Sequence, residues 1–183
     1  MLEVRFHGRG GQGIVVGSGI LGMAYFYEDN QVQYFPEFGV ERRGAPVQAF
    51  LRVSDSKIKT HYSINEPDHV ILFDTTLLQT VDVIKGLKSG GMILINSKKS
   101  PDEFNFDKKF KVATIDADGI SLQNKLGSAA SPIINAAIVG AFAKAIGNLK
   151  IESVIKAVAE SVPAKIAENI TSAETAYEKV MIR

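Results

Sequence analysis

The spacing of apolar and polar residues predicts how the chain begins. Leu2, Val4 and Phe6 alternate with charged residues, and this period of two predicts a half-buried strand. Four glycines then fall within residues 8–13, and an apolar run over residues 14–25 is long enough for a helix. A strand, a glycine loop and a helix in this order predict the first unit of a βαβ fold.

The same patterns predict the rest of a sheet. Six further apolar runs, alternating or continuous, indicate strands at Gln31–Phe35, Val47–Val53, Lys57–Ile64, His69–Asp74, Met92–Asn96 and Phe110–Asp116. A turn-rich triplet at residues 54–56 separates two alternating runs and predicts an antiparallel hairpin between them. Because the runs at 69–74 and 92–96 are continuously apolar, we expect a sheet that is covered on both faces.

Amphipathic periodicity and capping residues predict five helices after the first. They start at Asp74 or Thr75, at Asp116 or Asp118, at Ser131-Pro132, near Ile151 and at a capping box beginning with Thr171. Asp74 is thus interpreted first as a helix cap. We expect one α/β domain over residues 1–183, a three-layer Rossmann-like fold with a mixed, mostly parallel sheet and helices on both faces.

The glycine cluster is the first candidate binding site. Its candidate cofactor-binding residues are Gly8, Arg9, Gly10, Gly11, Gln12 and Gly13. Glycine lets the backbone approach a ligand, and a helix that follows the loop presents free N–H groups to an anion. Arg9 adds a permanent positive charge. The same spacing is typical of a tight strand-to-helix turn without a ligand, so both interpretations stay open.

A dinucleotide site has a further requirement, an acid about 20 residues beyond the loop at the end of the second strand. Glu37 lies near that place but follows Phe35-Pro36, whereas Glu28 and Asp29 precede the strand. This mismatch argues against NAD binding. A free-standing enzyme that binds NAD(P) or FAD is kept as the alternative function.

The loop at residues 36–46 has an unusual polar content. It holds two prolines and two glycines, with Glu37, Glu41, Arg42 and Arg43 among apolar residues. The loop is either a solvated surface turn with internal ion pairs or a recognition element on a rigid scaffold. Arg42 and Arg43 are kept as candidate contacts to a phosphate or an acidic partner.

Composition narrows the chemistry. The chain has 183 residues, of which 45% are hydrophobic and 22% charged, and its net charge is +1, which points to neither nucleic acid nor a membrane. It has no cysteine, so it carries no cysteine nucleophile and no cysteine-ligated cluster. The three histidines lack metal-binding spacing, so we expect no metal site. His7 is interpreted as a structural residue, and we expect no catalytic residue. No signal-peptide pattern is visible, and we expect a cytoplasmic protein.

Four segments taken together resemble a known family. They are His7–Gly13, the loop Phe35–Pro46, Ala49–Arg52 and Glu66–Asp68. This combination is similar to the gamma subunit of pyruvate and other 2-oxoacid:ferredoxin oxidoreductases, and the similarity runs through nearly the whole chain. One departure lies at Ala130-Ser131-Pro132, where the family often has Asn-Thr-Pro.

The resemblance implies a subunit of a larger enzyme that oxidatively decarboxylates a 2-oxoacid, forms the acyl-CoA and reduces ferredoxin. It implies that thiamine diphosphate, Mg²⁺ and the iron–sulfur clusters belong to alpha-, beta- and delta-type partner subunits. The gamma chain would then be structural or auxiliary and associated with coenzyme A. A third hypothesis is a pure interaction module that docks through residues 37–46, where changing Arg42 and Arg43 to alanine would break assembly.

Overall fold

The computed structural model describes residues 1–37 and 44–183. Within these residues, the strands are β1 (Leu2–Arg9), β2 (Gln31–Pro36), β3 (Pro46–Ser54), β4 (His69–Leu72), β5 (Met92–Asn96), β6 (Lys111–Ile115), β7 (Gly127–Ser128), β8 (Ser131–Pro132) and β9 (Met181–Ile182). The α-helices are α1 (Ile14–Phe26), α2 (Ala117–Gln123), α3 (Asn135–Ile146), α4 (Ile151–Ser161) and α5 (Ile166–Lys179). No helix of this described part is long and apolar enough to cross a membrane.

One mixed sheet forms the centre, in the strand order β2-β3-β1-β4-β5-β6-β9. The neighbours β1, β4, β5 and β6 are parallel to one another. β3 runs antiparallel to both β1 and β2, and β9 runs antiparallel to β6. All the strands of this seven-stranded sheet except β3 and β9 therefore point the same way. The predicted α/β class with a mixed, mostly parallel sheet is confirmed.

The two faces of the sheet are covered differently. Phe6, Ile71 and Leu94 pack into a core with residues from all five α-helices, whereas Val70 and Ile93 point to the opposite face. That second face is covered by 3-10 helices at Thr75–Gln79 and Pro101–Glu103 and by turns. The predicted helices are thus present on both faces, but those on the second face are 3-10 helices, whereas the α-helices lie on the first face.

The predicted long helix after Asp74 is wrong, and the local contacts explain why. The segment is helical only as the 3-10 turn Thr75–Gln79. Beyond it, the carbonyl oxygens of Val83 and Lys85 accept hydrogen bonds from the Arg5 guanidinium at 3.1 and 2.6 Å, so they are not available to a helix. A Cβ at Gly86 would lie 2.1 Å from a backbone oxygen, which shows how closely two backbones pack here. Tertiary contacts have overridden the amphipathic pattern.

The predicted strand Lys57–Ile64 is also wrong, because its backbone is irregular and joins no ladder. The hairpin of this region is instead β2 with β3, in which Gln31 pairs with Ser54. The irregular segment is held by arginines, since Arg52 donates to the Tyr62 carbonyl at 2.7 Å and Arg5 to the Ile64 carbonyl at 3.4 Å. Its alternating pattern reflects contacts with these side chains rather than a sheet.

Two predicted helix starts are shifted. Ser131 and Pro132 form the short strand β8, paired with β7, and α3 begins only at Asn135. Helix α5 begins at Ile166, so the predicted capping box at Thr171 lies inside it. The other caps are as expected: Asp116 accepts from the Gly119 amide at 2.9 Å, and Asp74 accepts from the Thr76 amide at 2.9 Å.

His7 is a buried structural residue on the second face. It is 2% exposed, and its Nε2 accepts a hydrogen bond from Arg5 Nε at 3.0 Å. A ring nitrogen that accepts this bond carries no proton, so the imidazole is neutral. Burial, and then the charge of Arg5, lower the pKa of His7 to about 3.

This burial predicts a pH dependence of stability. Because the folded-state pKa lies below the ordinary value of 6.5, the unfolded chain binds one more proton between about pH 6.5 and pH 3. The contribution of neutral His7 to the free energy of unfolding is therefore fully present above pH 6.5. It decreases by about 1.4 kcal/mol per pH unit as the pH falls below that value. We expect His7→Gln to remove this slope, measured by urea unfolding at pH 7, 5.5 and 4.5. His61→Gln, at an exposed site, is the control and should follow the wild type. The assignment would be contradicted if the free energies of unfolding of wild type and His7→Gln changed with pH in the same way.

Candidate functional site

A cleft lies at the carboxyl ends of β1, β4 and β5. The glycine loop forms one wall, and α2 with the β7–β8 turn forms the other. Its volume is about 450 Å³. Ligands of open α/β sheets bind at this edge, because the strand-to-helix loops converge there. The cleft is therefore the first place to test the predicted site residues.

The glycine loop is fixed by hydrogen bonds within itself and to Gly44 and Ala45. The Arg9 amide donates to the Gln12 side-chain oxygen at 2.7 Å, and the Gln12 amide donates to the Arg9 carbonyl at 3.0 Å. The Gly10 amide donates to the Ala45 carbonyl at 2.9 Å, and the Gly44 amide donates to the Gly10 carbonyl at 3.0 Å. At Gly8, a Cβ would lie 2.5 Å from the Ile14 side chain, so only glycine fits between the strand and α1.

Arg9 lies in the cleft but is already engaged. Its Nε donates to Asp74 Oδ2 at 3.1 Å, its Nη2 to the Thr76 hydroxyl at 2.7 Å and its Nη1 to the Gly44 carbonyl at 3.0 Å. The Arg9 side chain is 30% exposed and that of Asp74 is 18% exposed. The positive charge is thus compensated within the chain, and the remaining guanidinium N–H groups are what Arg9 can offer a ligand.

Asp74 is the centre of this network. Its Oδ2 also accepts from Gln12 Nε2 at 3.1 Å, and its Oδ1 accepts from the Thr76 amide and hydroxyl at 2.9 and 2.6 Å. Burial by itself would raise the pKa of Asp74, but the hydrogen bonds from Thr76 and Gln12 and the charge of Arg9 outweigh it and lower that pKa. The interpretation of Asp74 as a cap is confirmed, and the structure adds its role in holding the loop.

Asn135 contacts the loop from the helix side. Gly13 precedes α1 in the left-handed region, at φ 76°, and no side chain caps the helix. A Cβ on Gly13 would lie 2.8 Å from Asn135 Nδ2 and 3.0 Å from its Oδ1, so the carboxamide packs directly against this glycine. The Asn135 Oδ1 is buried and has no hydrogen-bond partner within the part of the chain that the structure describes.

The two sides of the loop differ in charge. On the side of α1, a second pocket of about 250 Å³ is lined by the loop, the first turn of α1, Val47 and Gln48, with no carboxylate among its described residues. The cleft side contains the carboxylates of Asp74 and Asp118. Arg9 borders both pockets. Because free N–H groups at a helix N-terminus favour anions, an anionic group is expected on the α1 side.

Asp118 reaches the cleft from the first turn of α2. The buried Asn96, at the end of β5, orients it: Asn96 Nδ2 donates to Asp118 Oδ1 at 3.1 Å and to the Phe73 carbonyl at 3.1 Å. Asn96 Oδ1 accepts from the Ala117 amide at 3.0 Å, which fixes the orientation of the carboxamide. Sequence reasoning named Asp118 only as a helix cap and did not single out Asn96 or Asn135.

The comparisons with known proteins fit this geometry. The model of the pyruvate ferredoxin/flavodoxin oxidoreductase family matches residues 3–179. The chain belongs to this family. The pyruvate synthase subunit PorC of Methanocaldococcus jannaschii is 49% identical over 182 residues, which cover 99% of this chain and 98% of that protein. The pyruvate/ketoisovalerate oxidoreductases common subunit gamma of Thermococcus kodakarensis is 49% identical over 186 residues, covering 100% of this chain and 98% of that one.

A solved structure agrees in fold. The crystal structure of the pyruvate oxidoreductase subunit PORC of Thermotoga maritima is 30% identical and has a TM-score of 0.83, covering 99% of this chain and 97% of that chain. The resemblance to the gamma subunit of 2-oxoacid oxidoreductases is therefore confirmed.

The alternative of a free-standing dinucleotide enzyme is not supported. Within residues 1–37 and 44–183 of this chain, β2 pairs with β3 alone, and β3 separates it from β1. The second strand of a dinucleotide-binding unit would instead lie parallel and next to the first, with its acid at the ribose. Glu37 follows β2 and donates its amide to the Gln48 carbonyl, at the far edge of the sheet.

The predicted site residues are only partly located. Arg9, Gly10 and Gly11 line both pockets, Gln12 lines the cleft and Gly13 lines the pocket beside α1, whereas Gly8 lines neither. Their binding of a ligand stays a prediction. Arg42 and Arg43 lie outside the described residues, so their roles stay predictions. No group of three side chains that could hold a metal occurs in residues 1–37 and 44–183.

The packing of Asn135 on Gly13 predicts a specific cost for Gly13→Ala. Gly147, at φ 74°, has the same backbone conformation but nothing within 4 Å of an added Cβ, so Gly147→Ala is the matched control. We expect about 1 kcal/mol of destabilisation at Gly147 and roughly 1–2 kcal/mol more at Gly13, measured by urea unfolding. In the double variant Gly13→Ala with Asn135→Ala, the additional loss of stability seen for Gly13→Ala over Gly147→Ala should disappear. Equal losses for the two glycine variants would show that the contact is unimportant.

Proposed function

We propose that this chain is the gamma subunit of a multi-subunit oxidoreductase that decarboxylates a 2-oxoacid, forms the acyl-CoA and passes electrons to ferredoxin. The observation that carries this proposal is 49% identity over the full length of a pyruvate synthase subunit. Pyruvate is therefore the first candidate substrate. Branched-chain 2-oxoacids are the second, because the Thermococcus kodakarensis relative is named as common to pyruvate and ketoisovalerate oxidoreductases.

The side chains of the cleft support an auxiliary role. A hydroxyl nucleophile usually needs a neighbouring histidine or lysine as its base, and the described lining of the cleft contains neither. His7 is neutral, buried and bonded to Arg5. With no cysteine in the sequence, the iron–sulfur clusters belong to partner subunits of the alpha, beta and delta types, and we assign thiamine diphosphate and Mg²⁺ to those partners as well.

The contribution of this chain is to bind coenzyme A. The glycine loop and the first turn of α1 offer backbone N–H groups beside Arg9, which suits a phosphate. Arg42 and Arg43 follow β2 in the sequence and are the further cations that we assign to a phosphate or an acidic partner. The cytoplasm is the compartment we propose, in keeping with a protein that holds no disulfide.

An apolar surface supports docking to a partner subunit. Helix α1 has no charged residue, and its outer side forms a groove of about 370 Å³ with Tyr34 of β2. Val16 and Tyr34 are about half exposed. The adjacent edge of β2 carries no charge that would prevent pairing with another strand. Exposed apolar side chains beside an open strand edge are typical of surfaces that a partner covers.

Coenzyme A binding is tested by calorimetry on the purified chain, with NAD and NADP as separate ligands. We expect binding of coenzyme A alone. Arg9→Ala should weaken it about tenfold, because it removes the one cation that borders both pockets among the described residues. Arg183→Ala, beyond β9 at the other edge of the sheet, is the control. NAD(P) binding would contradict the proposal. If the isolated chain binds none of the three ligands, the same variants are compared by the KM for coenzyme A in the assembled enzyme.

The subunit role is tested by reconstitution. Partner subunits with this chain should reduce ferredoxin when pyruvate and coenzyme A are supplied, and omission of the chain should lower that rate more than tenfold. The isolated chain should show no such activity. Full activity of the partners without this chain would contradict the proposal.

A further inference from the structure

The outer edge of β2 is a place where the central sheet can be extended. The Glu37 amide donates to the Gln48 carbonyl at 2.9 Å. Because hydrogen bonds alternate along an antiparallel pair, Gln33 also bonds to β3, whereas the backbone groups of Val32 and Tyr34 point away from it. In the described part of the chain, β2 is the last strand on its side of the sheet. Its outer edge therefore presents the amides and carbonyls of these two residues to a further strand.

Pro36 supports this orientation of β2. A proline has no amide hydrogen, so within sheets it is found on edge strands where the missing donor would face away from the neighbouring strand. Pro36 pairs with Ala49 in the same register, and it thus has the outward orientation of Val32 and Tyr34. The donors of this edge are therefore the amides of Val32 and Tyr34, and a short segment is enough to satisfy them.

On the side of α1, an added strand would meet the apolar groove. The Tyr34 ring lies against α1, since a Cβ on Gly19 would lie 3.2 Å from its Cε2. Val16 and Met23 line the groove beside this ring, and α1 contains no charged residue. A charged side chain buried here would lose its water without gaining a partner. The side chains that an added strand turns to this face are therefore apolar.

On the other side, the same strand would meet a basic surface. His61 Nδ1 lies 2.8 Å from Gln33 Nε2, which places the irregular segment after β3 beside β2. Lys57 and Lys59 of this segment are exposed, and the sequence has no acid from residue 56 to residue 65. Carboxylates are the side chains that complement such a surface.

This basic segment is held in place from beneath. The fully buried Arg52 donates to the Tyr62 carbonyl at 2.7 Å, and its guanidinium carbon lies 5.2 Å from the centre of the Tyr62 ring. The Tyr62 residue is nonetheless 67% exposed. An exposed tyrosine on a fixed support is typical of protein interfaces, because it buries a large area at a small cost in conformational entropy.

We propose that β2 binds an extended segment of a partner subunit in which apolar and acidic side chains alternate. The backbone of that segment pairs with Val32 and Tyr34, its apolar side chains enter the groove beside α1, and its carboxylates face Lys57 and Lys59. Successive side chains of a strand point to opposite faces, so a single strand complements both surfaces. This inference rests on the proposed role of the chain as a subunit and adds the chemistry of the partner segment.

Amide hydrogen exchange tests the backbone pairing. The Val32 and Tyr34 amides should exchange rapidly in the isolated chain and at least about tenfold more slowly in the assembled enzyme, because they then donate to a neighbouring strand. The Gln33 amide, which donates to β3, is the internal control and should be protected in both states. Exchange is measured by mass spectrometry with fragmentation that resolves single residues.

Two exchange results would overturn the proposal. The first is equal exchange of the Val32 and Tyr34 amides in the isolated chain and in the assembled enzyme. The second is protection of these amides already in the isolated chain, which would show that this chain or a second copy of it covers the edge.

Val16→Lys tests the apolar face. Val16 is 49% exposed, so the fold accommodates a lysine there, but the charge enters the groove. We expect the dissociation constant for the partner subunits to rise at least about tenfold. Ile182→Lys in β9, also at a residue 49% exposed and at the opposite edge of the sheet, is the matched control and should leave that constant unchanged. Equal binding by Val16→Lys and the wild type would overturn the proposal.

The double variant Lys57→Glu with Lys59→Glu tests the acidic face. We expect the dissociation constant to rise about tenfold at low ionic strength, and the difference from the wild type should shrink as salt is added. Lys99→Glu with Lys108→Glu changes the net charge equally at exposed residues near β5 and β6, and it should bind as the wild type does. Unchanged or tighter binding by the first double variant would overturn the proposal.

The subunit role is judged separately, by ferredoxin reduction in the reconstituted enzyme. If the wild-type chain restores this activity and Val16→Lys binds the partner subunits as well as the wild type does, the inference fails and the proposed function stands. If the wild-type chain neither binds the partner subunits nor restores the activity, both fail.

Discussion

The Asp74 carboxylate is the contact on which the site depends. It lies just beyond β4 and accepts hydrogen bonds from Arg9 and Gln12 of the glycine loop and from Thr76 of the next turn. The loop, the end of β4 and the 3-10 turn are thereby joined without a ligand. Because the carboxylate and the guanidinium are both partly buried, each would cost free energy if left unpaired. The loop is thus pre-organised, and a ligand need not supply the free energy to order it.

Two buried arginines perform a similar task on the second face. This face lacks an α-helix in the described residues, and its covering segments have many backbone carbonyls that no helix satisfies. Arg5 donates to carbonyls of three such residues, and the fully buried Arg52 donates to Tyr62 and to Glu3, at 2.7 and 2.8 Å. The guanidinium, with several fixed donors and no acceptor, suits this role better than any other side chain. Ordered irregular segments therefore replace a helical layer.

The sequence predicted what depends on local patterns and missed what depends on distant contacts. Strands β1 to β6 and helix α1 followed from their periodicity, and Asp116 and Asp74 from capping chemistry. The segment after Gln79 has the spacing of a helix, but its carbonyls bind Arg5 of β1, about 80 residues away in the chain. The glycine spacing located the loop, whereas Asn135 packs on it, and Asn96 and Asp118 face it across the cleft, from elements that are far away in sequence. No single-sequence pattern reports such convergence.

The side-chain oxygen of Asn135, which has no hydrogen-bond partner among the described residues, shows how binding and stability are balanced at the loop. A buried acceptor without a partner costs about 1–3 kcal/mol, and here it lies against the glycine that starts α1. Holding a substrate in place assists a reaction most effectively when the site is rigid beforehand. Gly13 and the Asp74 network supply that rigidity. The unsatisfied side-chain oxygen is then a cost of bringing α3 close enough to α1 to fix the loop.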